Sequence, residues 1–284
     1  MFEILATKND QGRTLYKLLC KYLNNLTKSR LEKIFRKKDI KVNGIRTNDK
    51  SFKVSENDHI IIYGVFDANK QQEIKLVKPN LNILYEDDNI LLIDKVPGLI
   101  VHGEENSLDD QVLAYLGFVQ KDSFKPSHVG RLDKATSGLI LYAKNYETLT
   151  MLNAKHKYFT KKYLFKSNLE LKPNQKIDLT LYLVKDEANQ KVKAYAKEVP
   201  NSQKAQNLFY LEKNDKIAQL VTGRKHQIRV SLQYLHKPIW GDKKYGGKPS
   251  QRLMLHSFYL QFKELTGNLK YLNKKEFWTE KPKW

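Results

Sequence analysis

The string Arg131-Leu132-Asp133 concentrates more reactive chemistry than any other stretch of this sequence. A small-residue turn, Ala135-Thr136-Ser137-Gly138, follows it, and then the apolar run Leu139-Ile140-Leu141-Tyr142. An Asp just ahead of a buried strand is held rigidly at a sheet edge, where clefts form. A carboxylate held in that way suits nucleophilic or acid–base work. On composition alone, an ordinary turn Asp is the plainer reading. The arginines add a second signal. Of 51 basic residues only eight are Arg, and Arg131, Arg224, Arg229 and Arg252 fall near segments of this kind. In so lysine-rich a chain, an arginine suits a place that needs a planar, bidentate guanidinium. Tyr163, in Tyr163-Leu164-Phe165, reads on its own as a core strand tyrosine. His128, His226 and His256 lie near the same segments without a metal-ligand spacing, so local hydrogen bonding or contact with a bound partner is expected of them and no metal. Gly246-Gly247-Lys248-Pro249-Ser250 lacks the full spacing of a phosphate loop. Cys20 falls in a helix stripe and is expected to be buried packing.

The elements that must position these residues come in two styles. Residues 12–65 read as one small unit. Leu15, Leu18, Leu19, Tyr22 and Leu23 recur at helical spacing. A second helix starts near Thr27-Lys28-Ser29 and buries Leu31, Ile34 and Phe35. Ile40-Lys41-Val42 alternates like a strand into the hairpin signal Asn43-Gly44, and His59 to Tyr63 closes the unit as a strand. Arg30, Lys33, Arg36, Lys37, Lys38 and Lys41 crowd the second helix and the turn after it. They form either a solvated face or a platform for phosphates. Residues 66–80 are polar and aperiodic and read as a linker. From 81 to 284 strand signals dominate: Ile83-Leu84-Tyr85, Ile90 to Ile93, Leu99-Ile100-Val101 after the Pro97-Gly98 turn, Ser137 to Ala143, five further segments between 163 and 221, and Leu253 to Phe262 as the last. Helices are expected around Leu108 to Leu116, Leu149 to His156 and Lys225 to Leu235. Strands in runs predict an α+β fold with a large mixed or antiparallel sheet and flanking helices.

The longer string His128-Val129-Gly130-Arg131-Leu132-Asp133-Lys134-Ala135-Thr136-Ser137-Gly138 resembles the catalytic motif of the pseudouridine synthases of the large-subunit ribosomal RNA type, in their Thr-Ser-Gly branch. Further blocks follow the family's order. Ile83 to Asp87 with Lys95, Pro97-Gly98 and Val101-His102 is similar to its first motif. Lys162-Tyr163 is similar to its Lys-Tyr motif. Thr222-Gly223-Arg224-Lys225-His226-Gln227-Ile228-Arg229-Val230, with Pro238-Ile239 and Gly241-Asp242 to Tyr245-Gly246, is similar to its third, and Leu255-His256-Ser257 to a late element. The resemblance runs over about residues 83 to 262. Gly130 departs from the His usual in this branch, and Val96 separates Lys95 from Pro97. The early unit, from Arg13-Thr14-Leu15 to Val42-Asn43-Gly44, resembles the small RNA-binding domain of the ribosomal protein S-four.

The resemblance implies an isomerase that detaches uracil from its ribose, turns it and rejoins it through ring carbon five, with no cofactor. It implies Asp133 as the catalytic carboxylate, either attacking the anomeric carbon or removing a proton beside it. Arg229 is implied as its bidentate partner, and Tyr163 as the ring that stacks on the uracil or serves in the proton removal. Arg131, Leu132, Thr136, Arg224 and Ile228 are expected to contact a flipped-out nucleotide. The partner implied is structured RNA, above all ribosomal RNA in the assembling large subunit, bound chiefly by shape and phosphate contacts. A non-catalytic RNA-binding factor in ribosome assembly is the alternative, since such a protein would need the early unit alone.

Composition agrees with a polyanionic partner and narrows the rest. The 284 residues carry a net charge of +20, although lysine bias from codon usage would supply part of it. With 40% hydrophobic residues the chain can bury a core. The apolar runs are too short to span a bilayer, and Met1 to Lys8 lacks the pattern of a secretion signal. A single cysteine excludes internal disulfides and suits the cytoplasm. A monomer is the default expectation.

Overall fold

The computed structural model describes residues 1–65 and 77–284. Most of the segment expected to be a linker, 66–76, lies outside the described residues, and residues 77–80 have no regular structure.

The first unit contains β1 (Phe2–Leu5), α1 (Leu15–Tyr22), α2 (Lys28–Arg36), β2 (Ile40–Val42), β3 (Ile45–Arg46) and β4 (His59–Ile62). Its sheet runs β1-β4-β2-β3, all antiparallel. Both helices start on a threonine cap: Thr14 accepts from the Lys17 amide and Thr27 from the Arg30 amide, which satisfies a donor the helix itself leaves open. Leu15, Leu18, Leu19, Leu31, Ile34 and Phe35 pack on Ile40, Ile60 and Ile62. The Asn43-Gly44 turn has both residues at positive φ, 50° and 84°, the tight hairpin geometry that the sequence signals. Cys20 differs from expectation. It is exposed, because it falls one position past Leu18 and Leu19 and off the buried stripe.

The rest of the chain folds around a sheet of 11 strands among the described residues. In chain order these are β5 (Ile83–Glu86), β6 (Ile90–Lys95), β7 (Ser127–Val129), β8 (Ser137–Ala143), β9 (Thr160–Phe165), β10 (Lys176–Asp186), β11 (Lys191–Tyr195), β12 (Gln203–Glu212), β13 (Asp215–Leu220), β14 (Leu255–Gln261) and β15 (Glu276–Trp278). The helices are α3 (Leu108–Tyr115), α4 (Tyr146–Lys155) and α5 (Gln227–Tyr234). The main path runs β11-β10-β12-β13-β9-β14-β8-β6-β5, with β15 against β14 and β7 against β8. The α+β class and large mixed sheet agree with the sequence. Leu99-Ile100-Val101 forms no strand, and β15 follows the strand expected to be last.

The site depends on the middle of this path. There β8 and β14 pair in parallel through His256 with Ser137 and Ser257 with Gly138. Gly138 sits at φ 109°, and a Cβ there would collide with the Ser257 backbone, so only glycine permits this approach. All seven residues of β8 are buried.

The two sheets meet through a polar joint. The fully buried Asp10 carboxylate accepts from the Thr7 amide (2.9 Å), the Tyr22 hydroxyl (3.0 Å), and the amide (3.2 Å) and hydroxyl of Ser123. Asn9 donates to Asp122 and accepts from the Tyr146 amide. The Arg13 guanidinium lies 3.5 Å over the Tyr146 ring.

Candidate active site

Asp133 lies in the loop between β7 and β8, and the sequence fixes that loop at three places. The Thr136 amide donates to the Asp133 carbonyl at 3.0 Å, closing a turn. The Lys134 carbonyl accepts from the Gly98 amide at 2.8 Å and from Lys95 Nζ at 3.2 Å. Lys95 is 1% exposed, and its ammonium also donates to the Val96 and Leu99 carbonyls. Burial pulls its pKa down to about 8, while the charge of Asp133 acts the other way. The inserted Val96 is thus part of a turn that a buried lysine knits to the Asp133 loop.

Arg229 comes from the first turn of α5. Gln227, the first residue of that helix, accepts from the Thr222 hydroxyl and the Arg224 amide and donates to Asn207 and the Gln206 carbonyl, so the helix start is fastened to β12. Arg229 is 8% exposed and uses its whole fork. Nη1 donates to Asp133 Oδ2 at 2.8 Å, Nε to Asp242 Oδ2 at 2.7 Å, and Nη2 to Asp242 Oδ1 at 2.8 Å. Burial opposes its charge, but hydrogen bonds and charges from Asp242 and Asp133 outweigh that and hold its pKa above the ordinary value. Asp242 is 1% exposed and also accepts from the Lys244 and Tyr245 amides. A planar fork between two carboxylates has one orientation, so Asp242 aims Arg229 and Arg229 aims Asp133.

These residues open on a cavity of about 570 Å³, large enough for a nucleoside. Every residue expected to be catalytic or substrate-contacting lines it. Arg131, Leu132, Asp133 and Thr136 come from one loop, Tyr163 from β9, and Arg224, Ile228 and Arg229 from α5 and its approach. Thr136 and Ile228 are buried, while Arg131 and Arg224 are exposed at the rim, where Arg224 donates to the Lys204 carbonyl. Tyr163 is 8% exposed. Burial first, then the Asp133 charge, push its hydroxyl up to about 12 against a hydrogen bond with Ser257. A tyrosine in that state keeps its proton at neutral pH and presents a ring and a hydroxyl. Arg30, Lys33, Arg36, Lys37, Lys38 and Lys41 lie elsewhere, on the first unit. All but the half-buried Lys41 are exposed.

Sequence reading passed over several residues that the structure brings in. Asp242 had a visible signal, a Gly-Asp thirteen residues past Arg229. His156 and Lys161 had none. His156 closes over Gly130, where a Cβ would stand 2.8 Å from its Nε2. Glycine at that position, the departure from the usual His, leaves room for a different His from outside the motif. Lys161 Nζ lies 2.9 Å from the same Nε2, and both side chains line the cavity. Burial lowers His156 to about 4 and Lys161 to about 7. Among the described residues, no group of three or more His, Cys, Asp or Glu is placed to hold a metal, and no helix is long and apolar enough to cross a membrane.

Residues 89–234 match the family described as RNA pseudouridylate synthase. A protein from Mycoplasma capricolum named "Uncharacterized RNA pseudouridine synthase" is 36% identical, over 97% of this chain and 96% of its own. The chain belongs to the RNA pseudouridylate synthase family. A Rickettsia bellii protein named "Ribosomal large subunit pseudouridine synthase C" is 35% identical over 98% of this chain and 95% of its own. Two solved human structures share the synthase fold. RNA Pseudouridylate Synthase Domain Containing 1 has a TM-score of 0.57 at 21% identity, covering 72% of this chain and 84% of that one. Domain Containing 4 has a TM-score of 0.53 at 22% identity, covering 71% and 88%. As a synthase of this family, the chain is an isomerase acting on uridine in RNA.

Proposed function

We propose that this synthase converts uridines of large-subunit ribosomal RNA, with Asp133 as the catalytic carboxylate. The observation that carries the reading is the chain Asp242–Arg229–Asp133, which ends in a nucleoside-sized cavity. Glycosidic cleavage builds positive charge on the sugar, and a fixed carboxylate beside it either stabilises that charge or bonds to the anomeric carbon. Tyr163 stacks on the extruded base. Arg131, at the rim, contacts the RNA beside the gap left by the base. Leu132, Thr136 and Ile228 wall the pocket, and Arg224 meets a phosphate. The names of full-length relatives support ribosomal RNA as the substrate. Residues 12–65 serve as an S-four-like RNA-binding domain, 66–80 as a linker and 81–284 as the catalytic domain. Arg30, Lys33, Arg36, Lys37, Lys38 and Lys41 present a phosphate-binding face. Such a protein works as a monomer in the cytoplasm, where ribosomes are assembled.

The test is pseudouridine formation in a large-subunit ribosomal RNA transcript. Wild type is expected to form product and Asp133→Asn none, a loss on the order of 10⁴-fold, with RNA binding retained. Near-normal turnover by Asp133→Asn would overturn the assignment of Asp133, and no product from wild type would favour an RNA-binding role in ribosome assembly.

A further inference from the structure

His226 faces the opposite side of the Asp133 carboxylate from Arg229. Arg229 holds Oδ2 at 2.8 Å, and His226 Nε2 stands 3.7 Å from Oδ1. That gap is too long for a hydrogen bond in the free protein. Catalytic contacts of this kind commonly tighten only when substrate is bound. The backbone places the ring deliberately. His226 sits just before α5 at φ 54°, ψ 19°, a left-handed conformation that a side-chain-bearing residue seldom adopts.

The hydrogen bonds around the ring determine which nitrogen carries the proton. The Val192 amide donates to the Tyr245 hydroxyl oxygen at 3.0 Å. The Tyr245 oxygen and His226 Nδ1 are 2.8 Å apart. Burial pushes the Tyr245 hydroxyl up to about 12, so it keeps its proton. With its oxygen already accepting from Val192, that proton is the natural donor to Nδ1. Nδ1 is then the acceptor, and the ring proton sits on Nε2, on the side of Asp133. The ring stays neutral. Burial, with the charges of Arg229, Lys225 and Lys244, brings it down to about 4 against the opposing pull of Asp133.

We infer that His226 is a second positioning residue for Asp133, held by Tyr245 in the Nε2–H tautomer so that it closes onto Oδ1 when RNA fills the cavity. The carboxylate is then gripped at both oxygens, and its plane is fixed relative to the sugar. This rests on the reading of Asp133 as the catalytic carboxylate. The chain Val192–Tyr245–His226 ties that grip to β11, far from the Asp133 loop in sequence.

His226→Asn is the direct test, because Asn tolerates the left-handed backbone. It should lower kcat by roughly tenfold to a hundredfold, the scale set by a misplaced catalytic group, with KM for the RNA nearly unchanged. Tyr245→Phe should lower kcat less. It should also move the acid limb of the kcat–pH profile upward, because the neutral ring loses its donor at Nδ1. Nitrogen NMR of ¹⁵N-histidine-labelled protein should show His226 protonated at Nε2 in wild type and mixed in Tyr245→Phe. Wild-type kcat in His226→Asn, or an Nδ1–H tautomer in wild type, overturns the inference. If His226→Asn fails to fold, Tyr245→Phe decides, and an unchanged tautomer and pH profile there overturn it. Asp133→Asn run in parallel separates the failures. An active Asp133→Asn removes the underlying reading. An inactive Asp133→Asn beside a fully active His226→Asn removes only this one.

Discussion

Arg36 and Arg229 are the same residue type put to opposite uses. On the first unit, Arg36, Lys37 and Lys38 are exposed at the end of α2 and the turn beyond it, outside a cluster of buried apolar side chains. Around the cavity, Arg229 is buried and spends its fork on two carboxylates. An exposed charge contributes about 0–1 kcal/mol to a folded protein, whereas breaking a buried pair costs roughly 3–5 kcal/mol. Charge on the first unit is therefore collective and tolerant of exchange. Charge at the cavity is individual and geometric.

Asp242→Asn should break the contrast most strongly. It removes the charge that orients Arg229 without touching the cavity. Turnover should fall on the order of a hundredfold, and chemical denaturation should show a loss of roughly 3–5 kcal/mol. A variant with normal turnover would mean that Asp133 alone orients Arg229. Replacing Arg36, Lys37 and Lys38 together by Ala should do the reverse. KM for long RNA should rise about tenfold and the salt dependence of binding should flatten by about 0.7–0.9 per lost phosphate contact. The kcat at saturating RNA and the melting temperature should hold. A fall in kcat would show that the first unit shapes the site as well as gripping RNA.

The smallest effect is one of pH. His156, His226 and His256 each sit at about 4 in the fold, with burial the main cause. Their unfolded value is near 6.5. Between those values the unfolded chain binds more protons, so stability is complete above about pH 6.5 and is lost as pH falls toward 4. Moving from pH 7 to pH 6 should lower Tm by a few degrees, corresponding to about 2 kcal/mol in all. A flat melting curve over that range would place the three rings in contact with water.

Periodic and turn-borne features were legible in the sequence. Helices α1 and α2, the Asn43-Gly44 hairpin and most strands announce themselves through spacing that solvent and core impose locally. Asp133, Arg229 and Tyr163 stood out because motif strings surround them. What could not be read was assembly across distance. Nothing local tells that β8 and β14 run parallel, or that Gly130 makes space for His156. Asp242 stood in a motif block with no role of its own until its partner was in view. Leu99 to Val101 looked like a strand but gives its Leu99 carbonyl to Lys95, a contact no periodicity encodes. Cys20 shows the limit at one-residue resolution, since a helical stripe has an edge and Cys20 falls beyond it.

The joint built on Asp10 has a geometric consequence. Asp10, Asn9 and Arg13 bind the first unit to Ser123, Asp122 and Tyr146, so contacts beyond the chain connection set the basic face relative to the cavity mouth. An RNA that touched both would be measured as with a caliper.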